Sequence, residues 1–482
     1  MKKSWIIGLM IGSMVVSSAG TYTGLKWMEA TEQQKEEIPF SLEDKGSFDV
    51  EKIKKVYEVI LNGYVEEVNE NELIEGAIEG MVSTLNDPYS VYMDEQKAAQ
   101  FNQTLDSSFE GIGAEISVVD GKKVIVAPFK NSPAEKAGIK PNDEILKVDG
   151  ESVESLDLYE TTLKIRGKKG TTVQLEIKRE GLSKPITLEV KRDKIPIETV
   201  FSKVIEKEQQ KIGYIEITSF SKETGKDFKS SLKELEQEGI QSLIIDVRGN
   251  PGGLLSSVEE ILSTLVSNKK PYVQIEQRDG NRQATYSNQK EGKEYPIVVL
   301  TDEGSASASE ILVGALKEIE NSTIIGEKTF GKGTVQQAIP LGDGSNLKIT
   351  LYKWLTPDGN WIHRKGIEPD IFIEKGDLYE THPIQVEEPL KQDMNNEQVK
   401  NAQVILKSIG YEPGRQDGYF SKTTETAVKA FQLENGLKAT GVIDGKTASL
   451  LEGKVIEAMK KEHNDRQLQA AIHYLSYQLY RQ

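Results

Sequence analysis

The chain has 482 residues, a length that predicts about three to four domains. Its 60 Lys and Arg residues against 76 Asp and Glu residues give a net charge of -16, which argues against nucleic-acid binding because phosphate contacts need a basic surface. Cysteine is absent and only 4 histidines occur, which excludes disulfide scaffolds, cysteine-ligated metals and thiol nucleophiles and disfavours chemistry that needs several histidines.

Residues 1–28 have the pattern of an export segment. Lys2 and Lys3 precede an apolar stretch about as long as the apolar region of a signal peptide. Extended to Met28, the same stretch could cross a bilayer once. We therefore expect export, through either a cleaved signal or an uncleaved anchor, and the two lysines argue against a buried N-terminal helix. The polar, acidic residues 29–48 are predicted to be a linker.

Helical spacing begins next and predicts a helical N-terminal region over residues 49–108. Val56, Val59 and Ile60 would share one helix face, and Asp87-Pro88 would close a helix pair.

Residues 109–192 change to short β segments separated by turns. The segments 114–119 and 123–127 flank Asp120-Gly121, a strong hairpin signal, and a short helix is predicted over 155–165.

Residues 193–374 alternate strands with helices. Apolar strands are predicted at 243–247, 297–301 and 323–326, and helices at 254–266 and 308–319. This α/β alternation predicts a largely parallel sheet with both faces covered.

The C-terminal part begins with an acidic linker, 375–395, followed by a compact helical unit, 396–453. The tail, 454–482, carries an apolar stripe at helical spacing, formed by Ala471, Ile472, Leu475 and Leu479. Such a stripe needs a partner, either the body of its own chain or a second copy, and the pattern leaves both open.

Three motifs in the α/β region could carry chemistry. The first, Asp246-Val-Arg-Gly-Asn-Pro-Gly-Gly253, follows a strand. Its glycines would let backbone N–H groups point at a ligand, although an ordinary strand-to-helix turn would have the same composition. The second contains Ser307 at the predicted start of a helix, where unpaired N–H groups favour a developing oxyanion. Ser307-x-x-Glu310 also matches a capping box, which needs no catalytic role.

The third motif, residues 326–336, begins like a phosphate-binding loop. Gly333 stands where a Ser or Thr would ligate magnesium, and the following residues indicate a strand, so nucleotide binding is not expected. Lys332, if neutral, could activate a serine hydroxyl. Gln336 could orient the amine without adding a charge. His363 is an alternative base, but it lies in a polar turn with no evident acid partner.

Together, the strings SASASE, GEKTFGKGTVQ and DVRGNPGG resemble those of the carboxyl-terminal processing, or tail-specific, serine proteases, and the resemblance covers almost the whole chain. It implies a crotonase-like α/β core in which Ser307 is the nucleophile, Lys332 the general base and Gln336 the residue that orients the lysine. The oxyanion hole would be formed by the backbone N–H groups of Gly253 and Ala308. No cofactor and no metal are implied.

Residues 109–192 resemble the PDZ domain inserted in these proteases. The resemblance implies that Gly111, Ile112, Gly113 and Ala114 form the loop that binds the C-terminal carboxylate of a protein substrate. Arg166 could couple occupancy of this domain to the active site, or it could be a surface arginine near a turn.

Residues 396–453 resemble the type 1 peptidoglycan-binding domain, through the string DGYFSKTTETAVKAFQLENGLKATG. This implies peptidoglycan as a partner and a location outside the cytoplasm, at the membrane or wall. The helical ends, 49–108 and 454–482, would form a homodimer, and related Bacillus-type proteases suggest a role in sporulation signalling. The competing hypothesis is a non-catalytic adaptor that joins a PDZ and a wall-binding module, but such a protein should have lost Ser307 or Lys332.

Overall fold

The computed structural model describes residues 50–481 except 120, 130, 180, 181, 183, 380 and 387. The predicted export segment and the linker 29–48 lie outside the described residues. Within the described ranges, none of the helices combines the length and the apolar character needed to traverse a bilayer.

Short helices and strands make up the N-terminal region and the β-rich region that follows it. Up to residue 111 they are α1 (Val50–Gly63), α2 (Glu70–Ser83), β1 (Val91–Met93), α3 (Glu95–Leu105) and β2 (Ser108–Gly111). From residue 114 to 196 they are β3 (Ala114–Val119), β4 (Lys122–Pro128), α4 (Pro133–Lys136), β5 (Glu144–Val148), β6 (Glu151–Ser152), α5 (Leu158–Ile165), β7 (Thr172–Lys178), β8 (Ile186–Lys191) and β9 (Asp193–Pro196).

Strands and helices alternate in the next region, and helices dominate the last one. From residue 200 to 372 they are β10 (Val200–Lys207), β11 (Gln210–Ile217), α6 (Thr224–Gln237), β12 (Ser242–Asp246), α7 (Leu255–Leu265), β13 (Val273–Glu276), β14 (Arg282–Thr285), β15 (Ile297–Thr301), α8 (Ala308–Glu320), β16 (Thr323–Gly326), β17 (Thr334–Pro340), β18 (Asn346–Leu355) and β19 (Ile371–Phe372). Helices α9 (Glu397–Ser408), α10 (Lys422–Glu434), α11 (Gly445–Met459) and α12 (Arg466–Arg481) follow, with short 3-10 helices at Asp377–Tyr379 and Glu462–Asn464.

The chain divides into two compact units. The first contains the described residues up to Ala99 together with Gln336–Thr350, and the second contains Gln100–Val335 and the residues from Leu351 onward. In the first unit, β1 pairs antiparallel with the beginning of β18, and the Ser90 hydroxyl accepts a hydrogen bond from Thr350 N at 3.0 Å. Neither α1 nor α2 buries a residue, so the apolar face predicted for the first helix is exposed.

In the second unit, the β-rich domain is an antiparallel sheet in the order β3-β4-β5-β7-β8, with β6 beside β5. Ile125, Val173, Leu175 and Ile177 are fully buried in its core. Strand β3 lies at the sheet edge and has the bounds predicted for it. The flanking strands β2 and β9 pair antiparallel and form a two-stranded neck at the two ends of this domain.

The α/β core of the same unit is a sheet in the order β10-β11-β12-β15-β16-β19, parallel from β11 onward. Every residue of β12 and β15 is buried, because helices cover both faces of the sheet. Helices α6, α7 and α8 pack on one face and α12 packs on the other. The predicted fold class is therefore confirmed. Parallel strands also bring the loops that follow β12, β15 and β16 to one edge of the sheet.

Helix α12 bears on the two readings of the tail. Its apolar residues Ala471, Ile472 and Leu475 are buried against Ile244, Val298 and other sheet residues of the same chain. These three residues of the stripe therefore pack on their own chain, which is one of the two arrangements that the pattern left open.

The C-terminal helical unit needs two corrections to its predicted boundaries. Residues 375–395 were expected to be a linker, but Leu378, Ile384 and Leu390 are buried in the core that α9, α10 and α11 share. The predicted boundary after residue 453 falls inside α11, which continues to Met459. In both cases apolar side chains beyond the motif extend the packed unit.

Candidate active site

Ser307 lies in the turn between β15 and α8 with a strained backbone. Its φ is 55° and its ψ is -111°, a positive φ that a residue with a Cβ adopts only at a cost of about 1–3 kcal/mol. A strained serine between a buried strand and a helix is the geometry that nucleophile elbows use to present a hydroxyl. The side chain of Ser307 is half-buried.

The two neighbouring serines are fully buried and hold the turn in place. The Ser305 hydroxyl donates to Val247 O at 2.8 Å and accepts from Asp302 N at 3.0 Å. The Ser309 hydroxyl donates to Asn250 O at 2.9 Å. Both therefore join the turn to the Gly-rich loop after β12, whereas the side chain of Ser307 is only half-buried.

The Gly-rich loop approaches Ser307 so closely that a side chain would not fit. A Cβ on Gly252 would lie 2.9 Å from Ser307 Cβ and 3.0 Å from Ala308 N, and one on Gly253 would lie 2.1 Å from Phe220 O. Phe220 pairs with the loop through Gly252 O and Leu254 N, at 3.0 and 2.7 Å, which leaves the Gly253 N–H outside this pairing.

The N–H groups of Gly253 and Ala308 have no hydrogen-bond acceptor among the described residues. Ala308 is the first residue of α8, where N–H groups are unpaired by geometry and the helix dipole is positive. Two unpaired donors beside a strained serine are the arrangement that stabilises an oxyanion.

Lys332 lies in the loop between β16 and β17, and its backbone is held from both sides. Its N–H donates to Glu310 Oε2 at 2.8 Å and its C=O accepts from the indole of Trp354 at 2.8 Å. A Cβ on either flanking glycine, Gly331 or Gly333, would lie 2.8 Å from a backbone nitrogen, which explains why the lysine stands between glycines. The residues after Gly333 form strand β17, as predicted, and not the helix of a phosphate-binding loop.

Glu310 joins the serine turn to the lysine loop, and sequence reasoning gave it only a capping role. The fully buried carboxylate accepts from Ser307 N at 2.9 Å and Lys332 N at 2.8 Å through Oε2, and from Thr329 Oγ1 at 2.6 Å and Gly331 N at 2.7 Å through Oε1. Burial raises the pKa of Glu310, and these four hydrogen bonds oppose that rise. The capping-box spacing was the visible signal, but it could not reveal the bonds to the lysine loop.

Gln336 and His363 are the two other residues that the sequence suggested for catalysis, and each has a defined contact. Gln336 lies in β17, and its side-chain amide donates to Thr350 Oγ1 at 3.0 Å within the first unit, whereas Ser307 and Lys332 belong to the second. The His363 ring stacks on Trp361, with ring centroids 5.2 Å apart.

The loop predicted to bind a carboxylate leads into the edge strand β3. Ile112 is buried, and a Cβ on Gly113, whose φ is 73°, would lie 2.6 Å from Ser132 Cβ. The carbonyls of these two residues accept from Ala134 N at 2.8 Å and Phe129 N at 2.9 Å, which fixes the loop. Among the described strands, β3 pairs only with β4, so its other edge can accept an added peptide strand.

Arg166 follows the last residue of α5, and its guanidinium carbon lies 4.9 Å from the centroid of the Phe109 ring. Phe109 belongs to β2 of the neck and pairs with Ile195 of β9. A cation–π contact of this kind connects the end of α5 to the neck formed by β2 and β9. Arg192 fixes the same helix end by donating to the carbonyls of Lys164 and Ile165.

Four family models match the chain. Residues 211–373 match peptidase family S41, residues 111–191 match the PDZ domain, and residues 395–451 match the putative peptidoglycan binding domain. Residues 14–97 match the activating protease CtpB N-terminal domain.

Individual proteins match over most of the chain. The carboxy-terminal processing protease CtpB of Bacillus subtilis (strain 168) is 54% identical over 96% of this chain and 96% of its own. The carboxy-terminal processing protease CtpA of the same organism is 42% identical over 89% of this chain and 91% of its own. Among solved structures, the photosystem II D1 C-terminal processing protease is 29% identical, covers 68% of this chain and 88% of its own, and has a TM-score of 0.42.

Proposed function

The chain is a carboxy-terminal processing protease of the S41 serine peptidase family, and from this premise we propose that it is an exported endopeptidase in which Ser307 and Lys332 form the catalytic dyad. The observation that carries the proposal is the shared carboxylate oxygen. Glu310 Oε2 accepts from the backbone N–H groups of both residues, which brings the serine turn and the lysine loop to one point.

In the proposed reaction, the Ser307 hydroxyl oxygen attacks the carbonyl carbon of the scissile bond. The neutral amine of Lys332 accepts the hydroxyl proton and then delivers it to the leaving amine. The N–H groups of Gly253 and Ala308 stabilise the oxyanion, and water hydrolyses the acyl-enzyme. Gln336 is proposed to orient the lysine, because an amide can hydrogen-bond to the amine without favouring its charged form.

Substrate choice is proposed to depend on the PDZ domain. A substrate C-terminus would pair with the open edge of β3 and place its carboxylate against the loop of Gly111, Ile112, Gly113 and Ala114. Binding through the backbone of a chain end admits varied sequences in the rest of the substrate. Arg166 is proposed to report this occupancy to the core, since it contacts Phe109 in the neck.

The peptidoglycan-binding domain supports a location outside the cytoplasm, at the membrane or wall, with peptidoglycan as a partner. We propose a homodimer formed through the N-terminal region, since Val50, Ile53, Val56 and Val59 of α1 are each more than half exposed. We also propose that the protease acts in sporulation signalling.

The proposed division of the chain is an export segment (1–28), a linker (29–48), a helical region (49–108), the PDZ domain (109–192), the protease core (193–374), the peptidoglycan-binding unit (375–459) and the docked tail (460–482).

One experiment distinguishes the hypothesis of a non-catalytic adaptor from that of a protease. A fluorophosphonate probe should label the wild-type chain and fail to label Ser307→Ala, and cleavage of a protein with a free C-terminus should disappear in that variant. Proteolysis retained by Ser307→Ala would overturn the assignment of the nucleophile.

A further inference from the structure

A partly buried ion pair connects the docked tail to the loop that carries Gly253. Arg248 lies in that loop, and Asp465 immediately precedes α12. The guanidinium donates two parallel hydrogen bonds to the Asp465 carboxylate, Nη1 to Oδ1 at 2.9 Å and Nη2 to Oδ2 at 2.7 Å. The two side chains are only 15% and 13% exposed. Such bidentate pairs fix orientation as well as distance.

The remaining donors of Arg248 are also bound. Its Nε and Nη2 donate to Asp246 at 2.9 and 2.6 Å, and its Nη1 donates to Gln467 Oε1 at 2.9 Å. Gln467 is fully buried and donates to Ile373 O at 2.7 Å, and Tyr214 donates to Asp246 at 2.8 Å. The guanidinium is therefore held between the end of β12 and two side chains of the tail.

From Arg248, a short series of contacts leads to the serine turn. Gly249 N donates to Asp302 Oδ1 at 2.8 Å, and Asn250 O accepts from Ala306 N at 3.0 Å and from the Ser309 hydroxyl at 2.9 Å. Gly252 then lies against Ser307, as described above. A displacement of Arg248 would therefore move the loop that presents the Gly253 N–H.

We propose that Asp465 is a positioning residue for catalysis, which makes the tail part of the active-site support although it lies outside the matched S41 and peptidoglycan-binding regions. The inference rests on the proposed oxyanion role of Gly253. Docking of the helix does not require the ion pair, because Leu468, Ala471, Ile472 and Leu475 already bury an apolar face on the sheet. The two hydrogen bonds between the Asp465 carboxylate and the Arg248 guanidinium fix the position of the loop, which apolar packing of the helix alone does not do.

The test compares two full-length variants that each break one ion pair between the tail region and the core. Asp465→Asn removes the charge facing Arg248. Glu462→Gln removes the exposed pair with Lys203 on β10, and neither of these two side chains hydrogen-bonds to Arg248 or to the loop that carries Gly253. We expect kcat for a protein substrate with a free C-terminus to fall about 10–100-fold in Asp465→Asn with KM unchanged, because the oxyanion donor is displaced while the peptide-binding edge is intact. Glu462→Gln should keep the wild-type kcat.

A second assay bypasses substrate docking. The rate at which a small p-nitrophenyl ester acylates Ser307 should fall by the same factor in Asp465→Asn. If that variant does not fold, Gln467→Met, which removes one acceptor of Arg248, should lower kcat in the same direction by a smaller factor. Wild-type kcat and acylation in Asp465→Asn, or equal losses in Asp465→Asn and Glu462→Gln, would overturn the inference. Failure of the proposed function itself would be recognised separately, by proteolysis that survives Ser307→Ala.

Discussion

The buried side chain of Glu310 accepts a hydrogen bond from the backbone N–H of Lys332 at 2.8 Å, across 22 positions of the chain. The same oxygen accepts from the N–H of Ser307. One carboxylate thus fixes the separation of the two segments that carry the proposed nucleophile and base. Because small misplacements of reacting groups are costly, this arrangement leads to the first prediction.

Glu310→Gln should lower kcat by about 10²-fold, because the amide NH₂ would face backbone N–H donors and push the two loops apart. Leaving buried donors unpaired should also lower the free energy of unfolding by about 1–3 kcal/mol. Steady-state kinetics and urea unfolding measure the two effects. The matched control is Glu303→Gln, at an exposed position of the same turn, which should behave as wild type. Full activity in Glu310→Gln would contradict the bridging role.

Ser307→Gly should be inactive and yet more stable than Ser307→Ala. Glycine adopts the backbone angles of residue 307 without the strain that a Cβ causes, so the free energy of unfolding should rise by about 1 kcal/mol. Alanine keeps the Cβ and should leave stability within about 0.5 kcal/mol of wild type. Urea unfolding of both variants checks the order, and a glycine variant less stable than the alanine variant would show that the turn is not strained.

Lys332→Arg should lose activity although arginine is also a long, basic side chain that donates hydrogen bonds. A guanidinium remains protonated and cannot accept the hydroxyl proton of the serine, so kcat should fall by at least about 10²–10⁴-fold. Lys328→Arg, an exposed substitution in the same loop, is the control. Comparable activities in the two variants would exclude Lys332 as the base.

Asp302→Asn should destabilise the protein at neutral pH but not in acid. Burial alone would raise the pKa of Asp302, but hydrogen bonds from Lys375, Gly249 N and Gly304 N outweigh burial and hold the pKa below its usual 3.8. The stabilisation is therefore fully present above about pH 3.8 and is lost as the pH falls through the lower folded value.

The difference in thermal midpoint between wild type and Asp302→Asn should accordingly be largest at pH 7 and shrink below about pH 3.8. Asp358→Asn breaks the exposed pair with Lys270 and should change the midpoint little at either pH. A difference that is constant from pH 7 to acid would show that the charge of Asp302 does not stabilise the turn.

Gly113→Ala should weaken substrate docking more than it affects chemistry. The new Cβ would lie 2.6 Å from Ser132 Cβ, and φ at this position is 73°. The free energy of unfolding of the PDZ domain should therefore fall by about 2–4 kcal/mol. KM for a substrate with a free C-terminus should rise. Gly121→Ala is the matched control, because its φ is 75° but nothing lies within 4 Å, and it should cost only about 1–2 kcal/mol with KM unchanged. Equal KM values for the two variants would count against a carboxylate-binding role for this loop.

Local patterns predicted the elements well. Strands Ala114–Val119, Ile297–Thr301 and Thr323–Gly326 have the predicted bounds, since alternation and continuous apolar runs are properties of neighbouring residues. The motifs also gave the fold class and the family. The glycines that flank Lys332 were visible in the sequence as an anomaly, and the structure supplies their cause in the close approach of other backbone segments.

Composition, periodicity and short motifs thus determined by themselves the domain types, the absence of thiol chemistry and the candidate serine and lysine. Only the tertiary structure decided that Glu310 bridges their loops, that the tail packs on its own sheet and that Asp465 meets Arg248 across 217 positions. The reason is physical: a helix or strand is specified by contacts within a few residues, whereas these pairings exist only because parallel strands bring distant loops to one edge of the sheet.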